Sequence, residues 1–146
     1  MPNAEARRIA TQLTRAVNGP AWHGPSLAAA IRGVSPRQAA RKPLRGVHSI
    51  WEIALHANAW LDIVRQRVEG KPPKVTMAMN WPAVTKKGTR EWRRVGNDMR
   101  QSAAGLARTI RSQKDDKLPY LALHGVVQHT IYHAGQIAIL KKGLRG

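Results

Sequence analysis

Helical periodicity, interrupted only by proline and glycine, most narrows what this chain can become. No useful length of sequence alternates apolar and polar residues with period two, so a sheet has no strands to draw on. Four stretches do repeat at helical spacing. In the first, about Ala4 to Val17, Ile9, Leu13 and Val17 recur every four residues beside Ala6 and Ala10. Asn18-Gly19-Pro20 stops it. The second opens on a capping box, Ser49-Ile50-Trp51-Glu52, in which hydroxyl and carboxylate satisfy each other's backbone amides. Its stripe is Ile50, Ile53, Ala54, Ala57, Trp60, Leu61, Val64 and Val68, closed by Gly70 and Pro72-Pro73. The third, about Glu91 to Arg111, carries Trp92, Val95, Met99, Ala103, Leu106 and Ile110 at bundle-like spacing. The fourth runs from after Pro119 to Lys142 and is apolar nearly all round, the pattern of the most buried helix. Residues 19–47 read as irregular, with short helical turns at Ser26–Ile31 and after Ser35-Pro36. Residues 71–90 form the longest connection. The expected fold is all-α, a four-helix bundle with long loops after helices 1 and 2, in one domain over residues 1–146.

Composition then removes whole classes of function. There is no cysteine, which excludes disulfides, thiolate-held metals and thiol nucleophiles. No apolar run reaches the length of a membrane span, and MPNAEARRIA holds no signal-peptide core, so a cytoplasmic location is the default expectation. The 25 Lys+Arg against 8 Asp+Glu give a formal charge of +17. The excess is +7, +5 and +5 over residues 1–50, 51–100 and 101–146, so no single basic arm exists. A surface of this kind attracts polyanions without sequence preference, and no zinc finger, basic zipper or RNP-type motif adds specificity.

Six histidines stand at 23, 48, 56, 124, 129 and 133. His129 and His133, at i and i+4 on the fourth helix, share one face and can meet one ion. An isolated pair at that spacing more often means hydrogen-bonded, half-buried histidines. His56 adds a third imidazole: it falls about 100° from the centre of the second helix's stripe, on the rim that faces a neighbouring helix. Imidazoles from two facing helices are how bundles build metal sites, and three ligands leave positions open. His124 lies about 140° round from His129 and points elsewhere. His48 reads as a cap or staple residue, and His23 as part of the irregular region. Trp92 reads as core; Trp81, beside Pro82 in the long connection, reads first as a packing residue, with cover for a pocket mouth as the alternative.

With those residues in view, the chain resembles the DinB-like superfamily of metal-binding four-helix bundles. Three segments carry the resemblance: Trp22-His23-Gly24-Pro25-Ser26-Leu27, the run Gly46 to His56 (GVHSIWEIALH), and the run Leu123 to Ile137 (LHGVVQHTIYHAGQI). The resemblance implies metal ligation by His56, His129 and His133, a divalent ion (nickel or zinc foremost, manganese or iron next) and homodimers. It also implies activities of the thiol S-transferase type, using small thiols, or of the metal-dependent hydrolase type.

Two expectations of different class follow. In the first, the chain is an enzyme whose ion carries the reaction on a small thiol or anionic substrate. Glu52, one turn before His56, and Gln136, just past His133, are then the candidate catalytic or supporting groups. In the second, it is a non-catalytic metal-bearing module, or one that binds nucleic acid or another polyanion non-specifically through its basic surface. Either form is expected as a homodimer packed through helix faces, against the repulsion of two +17 subunits.

Overall fold

The computed structural model describes residues 2–144 and contains seven α-helices and no strand among them. Four are long: α1 (Ala4–Asn18), α4 (Ile50–Val68), α6 (Thr89–Arg111) and α7 (Tyr120–Gly143). Three are short: α2 (Leu27–Ile31), α3 (Pro36–Ala40) and α5 (Met77–Asn80). A single 3-10 turn (Asp115–Lys117) precedes α7. Both α4 and α1 pack against α6 and α7, while α2 lies on α7 and α3 on α4. The core between them is aliphatic. Leu13, Ile53, Leu61, Met99, Leu106, Ile110, Leu123 and Ile137 are all fully buried, each contributing about 1.5–3 kcal/mol of hydrophobic stabilisation.

Local chemistry sets the helix ends where the sequence places them. Ser49 accepts from the Glu52 amide, and Glu52 reaches back to the Ser49 amide, completing the anticipated capping box. Ser35 and Gln38 make a second box at α3, and Ser26 caps α2 through the Ala29 amide. Gly19 and Gly70 take the positive φ that ends α1 and α4, a conformation that costs glycine nothing.

Three features depart from the sequence reading. The connection 71–88 contains α5, a single turn capped by Thr76. Trp92 is half-buried and not deep core: its indole N–H needs an acceptor and donates to the Val34 carbonyl at 2.8 Å, while its ring leans on Trp51. And α7 buries one face only. Leu123, Val126, Thr130, His133, Ala134, Ile137 and Leu140 point inward, while Leu121, Tyr132 and Ile139 face out at 92%, 64% and 68% exposure. Its neighbours cover one side of the helix, so its apolar residues on the other stay in solvent.

The opening of α1 is stapled from the far end of the chain. Asn3, its N-cap, makes no side-chain cap bond. Instead the Asp115 carboxylate accepts from the Ala6 amide at 3.0 Å and the Glu5 amide at 3.2 Å, placing negative charge on the positive end of the helix dipole. Asp115→Ala should therefore lower stability by about 1 kcal/mol, roughly 2–4 °C in melting temperature. Asp116→Ala, at an exposed neighbour, should stay within about 0.5 kcal/mol of wild type. Thermal melts of the two variants distinguish a cap from general charge.

Candidate metal centre

His56 enters from α4, and His129 and His133 enter from α7, one turn apart on its α4-facing side. His56 and His133 are buried and His129 nearly so. Their ligand-capable nitrogens lie within 4.8 Å of one another. The closest approaches join Nε2 atoms: 2.9 Å from His129 to His56 and 3.1 Å from His129 to His133. No carboxylate or fourth histidine belongs to the group among the described residues.

The outer nitrogens decide what the inner ones can do. His56 Nδ1 lies 2.6 Å from the Asn80 carbonyl, and His133 Nδ1 lies 2.6 Å from Gln136 Oε1. Carbonyl oxygens only accept, so both Nδ1 atoms carry the proton and both Nε2 atoms present a bare lone pair. His129 Nδ1 is buried and has no hydrogen-bond partner among the described residues. If His129 holds its proton on Nδ1, three lone pairs face one another. If it holds the proton on Nε2, one N–H is shared between two acceptors and a buried lone pair is orphaned. Neither arrangement satisfies the cluster from within, and a cation among the three Nε2 atoms satisfies it directly. Metal–nitrogen bonds of about 2.0–2.1 Å hold two imidazole nitrogens roughly 3.0–3.4 Å apart, close to the 2.9 and 3.1 Å that separate His129 from its two partners. The three histidines are positioned to bind a metal ion.

Protonation does not compete near neutral pH. Burial pushes the His129 imidazole down to about 4, aided by His133 and His56. Burial likewise lowers His56, against its bond to Asn80, and His133, against its bond to Gln136; His48 adds to both effects. Neutral imidazole is the form that ligates.

Trp81 closes one side. Its ring stacks on His56 with centroids 3.8 Å apart and planes 6° from parallel, and His48 stacks on it at 3.8 Å. The tryptophan thus covers His56, the alternative reading of its place beside Pro82. His48, read from sequence as a cap or staple, instead clamps Trp81 and bonds Glu52 through Nδ1 at 2.7 Å. Gln136 fixes the tautomer of a site histidine. Glu52 does not touch the cluster: its carboxylate receives His48, the Ser49 amide and Lys42. His124 is exposed beside Tyr120, and His23 bonds the Pro25 carbonyl near the surface.

Sequence reasoning missed Asn80. Its carbonyl orients His56, and its side-chain oxygen accepts from Trp60 Nε1 at 2.8 Å. The available signal was Thr76 as an N-cap and Pro82, which holds the residue before it out of helical conformation.

Glu52 carries a pH signature of its own. Burial pushes its carboxyl up, but bonds from His48, the Ser49 amide, Lys42 and the Ser49 hydroxyl outweigh that and hold it at about 2. With the folded value below the unfolded one, its contribution is full above the unfolded value and is lost as pH falls toward 2. Glu52→Ala should cost about 1–2 kcal/mol at pH 7, and the gap from wild type should narrow at pH 3, as urea midpoints at the two pH values would show.

No curated protein and no solved structure matches the chain. The family model described as the DinB superfamily matches residues 21–137. That span begins just after α1 and takes in α4 with His56, the α5 turn with Asn80, and α7 as far as Ile137, so it contains every side chain of the histidine cluster. With a match over most of its length, the chain belongs to the DinB superfamily.

Proposed function

We infer that this chain is a metal-dependent enzyme of the thiol S-transferase or hydrolase type, built on a four-helix bundle and working in the cytoplasm as a homodimer. The observation that carries the reading is the set of three Nε2 atoms, two of them bare by the bonds at Nδ1, converging with no protein group to satisfy them. His56, His129 and His133 would hold the ion. Neutral imidazoles favour nickel or zinc, with manganese or iron next, over the oxygen-seeking calcium and magnesium. A divalent ion there supplies Lewis acidity, enough to activate a water or a thiol near neutral pH.

The chain's own groups then orient and shelter. Asn80 and Gln136 fix two ring orientations, and Trp81 keeps solvent from the face of His56. A cleft of about 500 Å³ is lined by His56 and His129, and a substrate could approach the histidines through it. Glu52 is a supporting residue in this reading, acting through His48 and Trp81. Purified protein should hold about one metal per chain. His129→Ala and His133→Ala should each lower affinity by more than the roughly 10–100-fold expected from losing a group that only orients a ligand. His124→Ala should leave metal content unchanged. Full occupancy in both ligand variants would overturn the assignment.

The homodimer rests on α7. Tyr120 to Leu140 contains no Asp, Glu, Lys or Arg in a chain of +17, and Tyr132 and Ile139 are exposed along that face with Gly135 between them. A Cβ on Gly135 would touch nothing, leaving room for a partner helix. Two like-charged subunits repel, so association through this face should tighten as salt rises. Light scattering across a salt series, with Ile139→Lys as the disrupting variant, decides between that and a monomer.

One observation favours a second reading. Most of the Lys and Arg residues make no ion pair among the described residues, where only Arg8, Lys42 and Arg65 do so. A polyanion-binding module without turnover would use that surface. DNA retention that falls steeply with salt, in protein free of metal, would support it.

A further inference from the structure

The cleft beside His129 has walls of one chemistry and a rim of another. It runs between α4 and α7, with His56 and His129 at one end and Arg67 and Leu121 at the other. Trp60, Val64, Leu121 and Val126 make its sides apolar. Gly125 keeps its floor open, because a Cβ there would meet no atom within 4 Å. Arg67 is the one charged residue lining it.

That arginine is free for a ligand. The acids nearest in sequence, Asp62 and Glu69, are both taken by Arg65, at 2.6 and 2.8 Å. Arg67 pairs with no acid among the described residues, and its guanidinium lies over the Trp60 ring, 5.3 Å from the centroid. The same indole sits 5.9 Å from the His129 ring. Trp60 therefore spans the interval between the guanidinium and the histidine cluster, and a ligand joining them needs only a short apolar body. Asn80 adds a second donor. Trp60 Nε1 can only donate, which fixes Asn80 Oδ1 toward it and leaves the Asn80 NH2 without a partner among the described residues. The polar groups at this rim are thus donors, on an otherwise apolar surface.

We propose that the cleft binds a small apolar carboxylic acid, its carboxylate on Arg67 and its body along Trp60, Val64 and Val126, so that its far end lies at His56 and His129. One guanidinium offers a planar pair of donors that matches a carboxylate. It balances one negative charge, where a phosphate near neutral pH carries closer to two. The proposal deepens the metal-enzyme reading by naming the substrate class of that site, and it rests on that reading only for what happens at the histidine end.

The test is calorimetric binding of carboxylates from butyrate to decanoate, 4-phenylbutyrate and the corresponding primary amides. Metal-loaded and chelator-stripped protein are titrated in parallel. The best acid should bind with a Kd between about 10 µM and 1 mM, and its amide roughly tenfold or more weaker. Arg67→Gln, at an exposed position, should bring the acid to the level of the amide without changing metal content. Gly125→Leu should weaken acid and amide alike by filling the floor, in a helix that a leucine favours. Arg8→Gln should change nothing. No binding by any acid, an amide as tight as its acid, or an unaltered Arg67→Gln would each overturn the proposal. If stripping abolishes binding while Arg67→Gln does not, the carboxylate sits on the ion; the cleft proposal then fails and the metal centre stands. If Arg67-dependent binding persists in protein that never takes up metal, the cleft stands and the metal centre fails.

Discussion

An amide oxygen can accept a hydrogen bond but never give one, and two such oxygens govern the centre of this protein. The backbone carbonyl of Asn80 and the side-chain carbonyl of Gln136 each hold an Nδ1 proton, and so aim two bare Nε2 lone pairs at His129. The rest of the structure serves that arrangement. Burial keeps the rings neutral, and the aliphatic interior of α4 and α7 fixes how far apart their backbones stand. Trp81, gripped between His48 and His56, closes the side that the helices leave open.

The charge of the chain and the character of the site pull in the same direction. A surface of +17 raises the cost of protonating any imidazole inside it, so the ligand form is favoured by the whole molecule as well as by local burial. A cation at the centre adds to that repulsion, and three tightly fixed ligands must offset it. The same surface draws anions toward the protein, and the cleft offers them one unpaired guanidinium beside an apolar wall.

Much of this was legible in the sequence, for identifiable reasons. The periodicities of α1, α4, α6 and α7 come from local sterics and one-sided burial, which pattern reading captures. His129 and His133 share a face by helix geometry alone, and His56 follows from its place on the rim of a stripe. The illegible parts depend on contacts distant in sequence. Asp115 caps α1 from the other end of the chain, and nothing near Ala6 announces it. Asn80 acts through a backbone carbonyl, a group every residue owns, so no residue type signals the role. Glu52 shows the limit from the other side: its spacing from His56 is right for support, but its carboxylate is taken by His48, the Ser49 amide and Lys42. The apolar circumference of α7 hid which side was covered, because pattern reveals what can be buried and only packing decides what is.

Counting the imidazoles around the ion tests the central claim most directly. X-ray absorption at the metal edge, on protein loaded with nickel or zinc, reads the number and distance of the first neighbours and the outer-ring scattering peculiar to imidazole. Three imidazoles per ion at about 2.0–2.1 Å, with the remaining positions filled by oxygen or nitrogen neighbours that lack the outer-ring scattering, are expected. One imidazole or none would contradict the account, because the ion would then sit away from His56, His129 and His133.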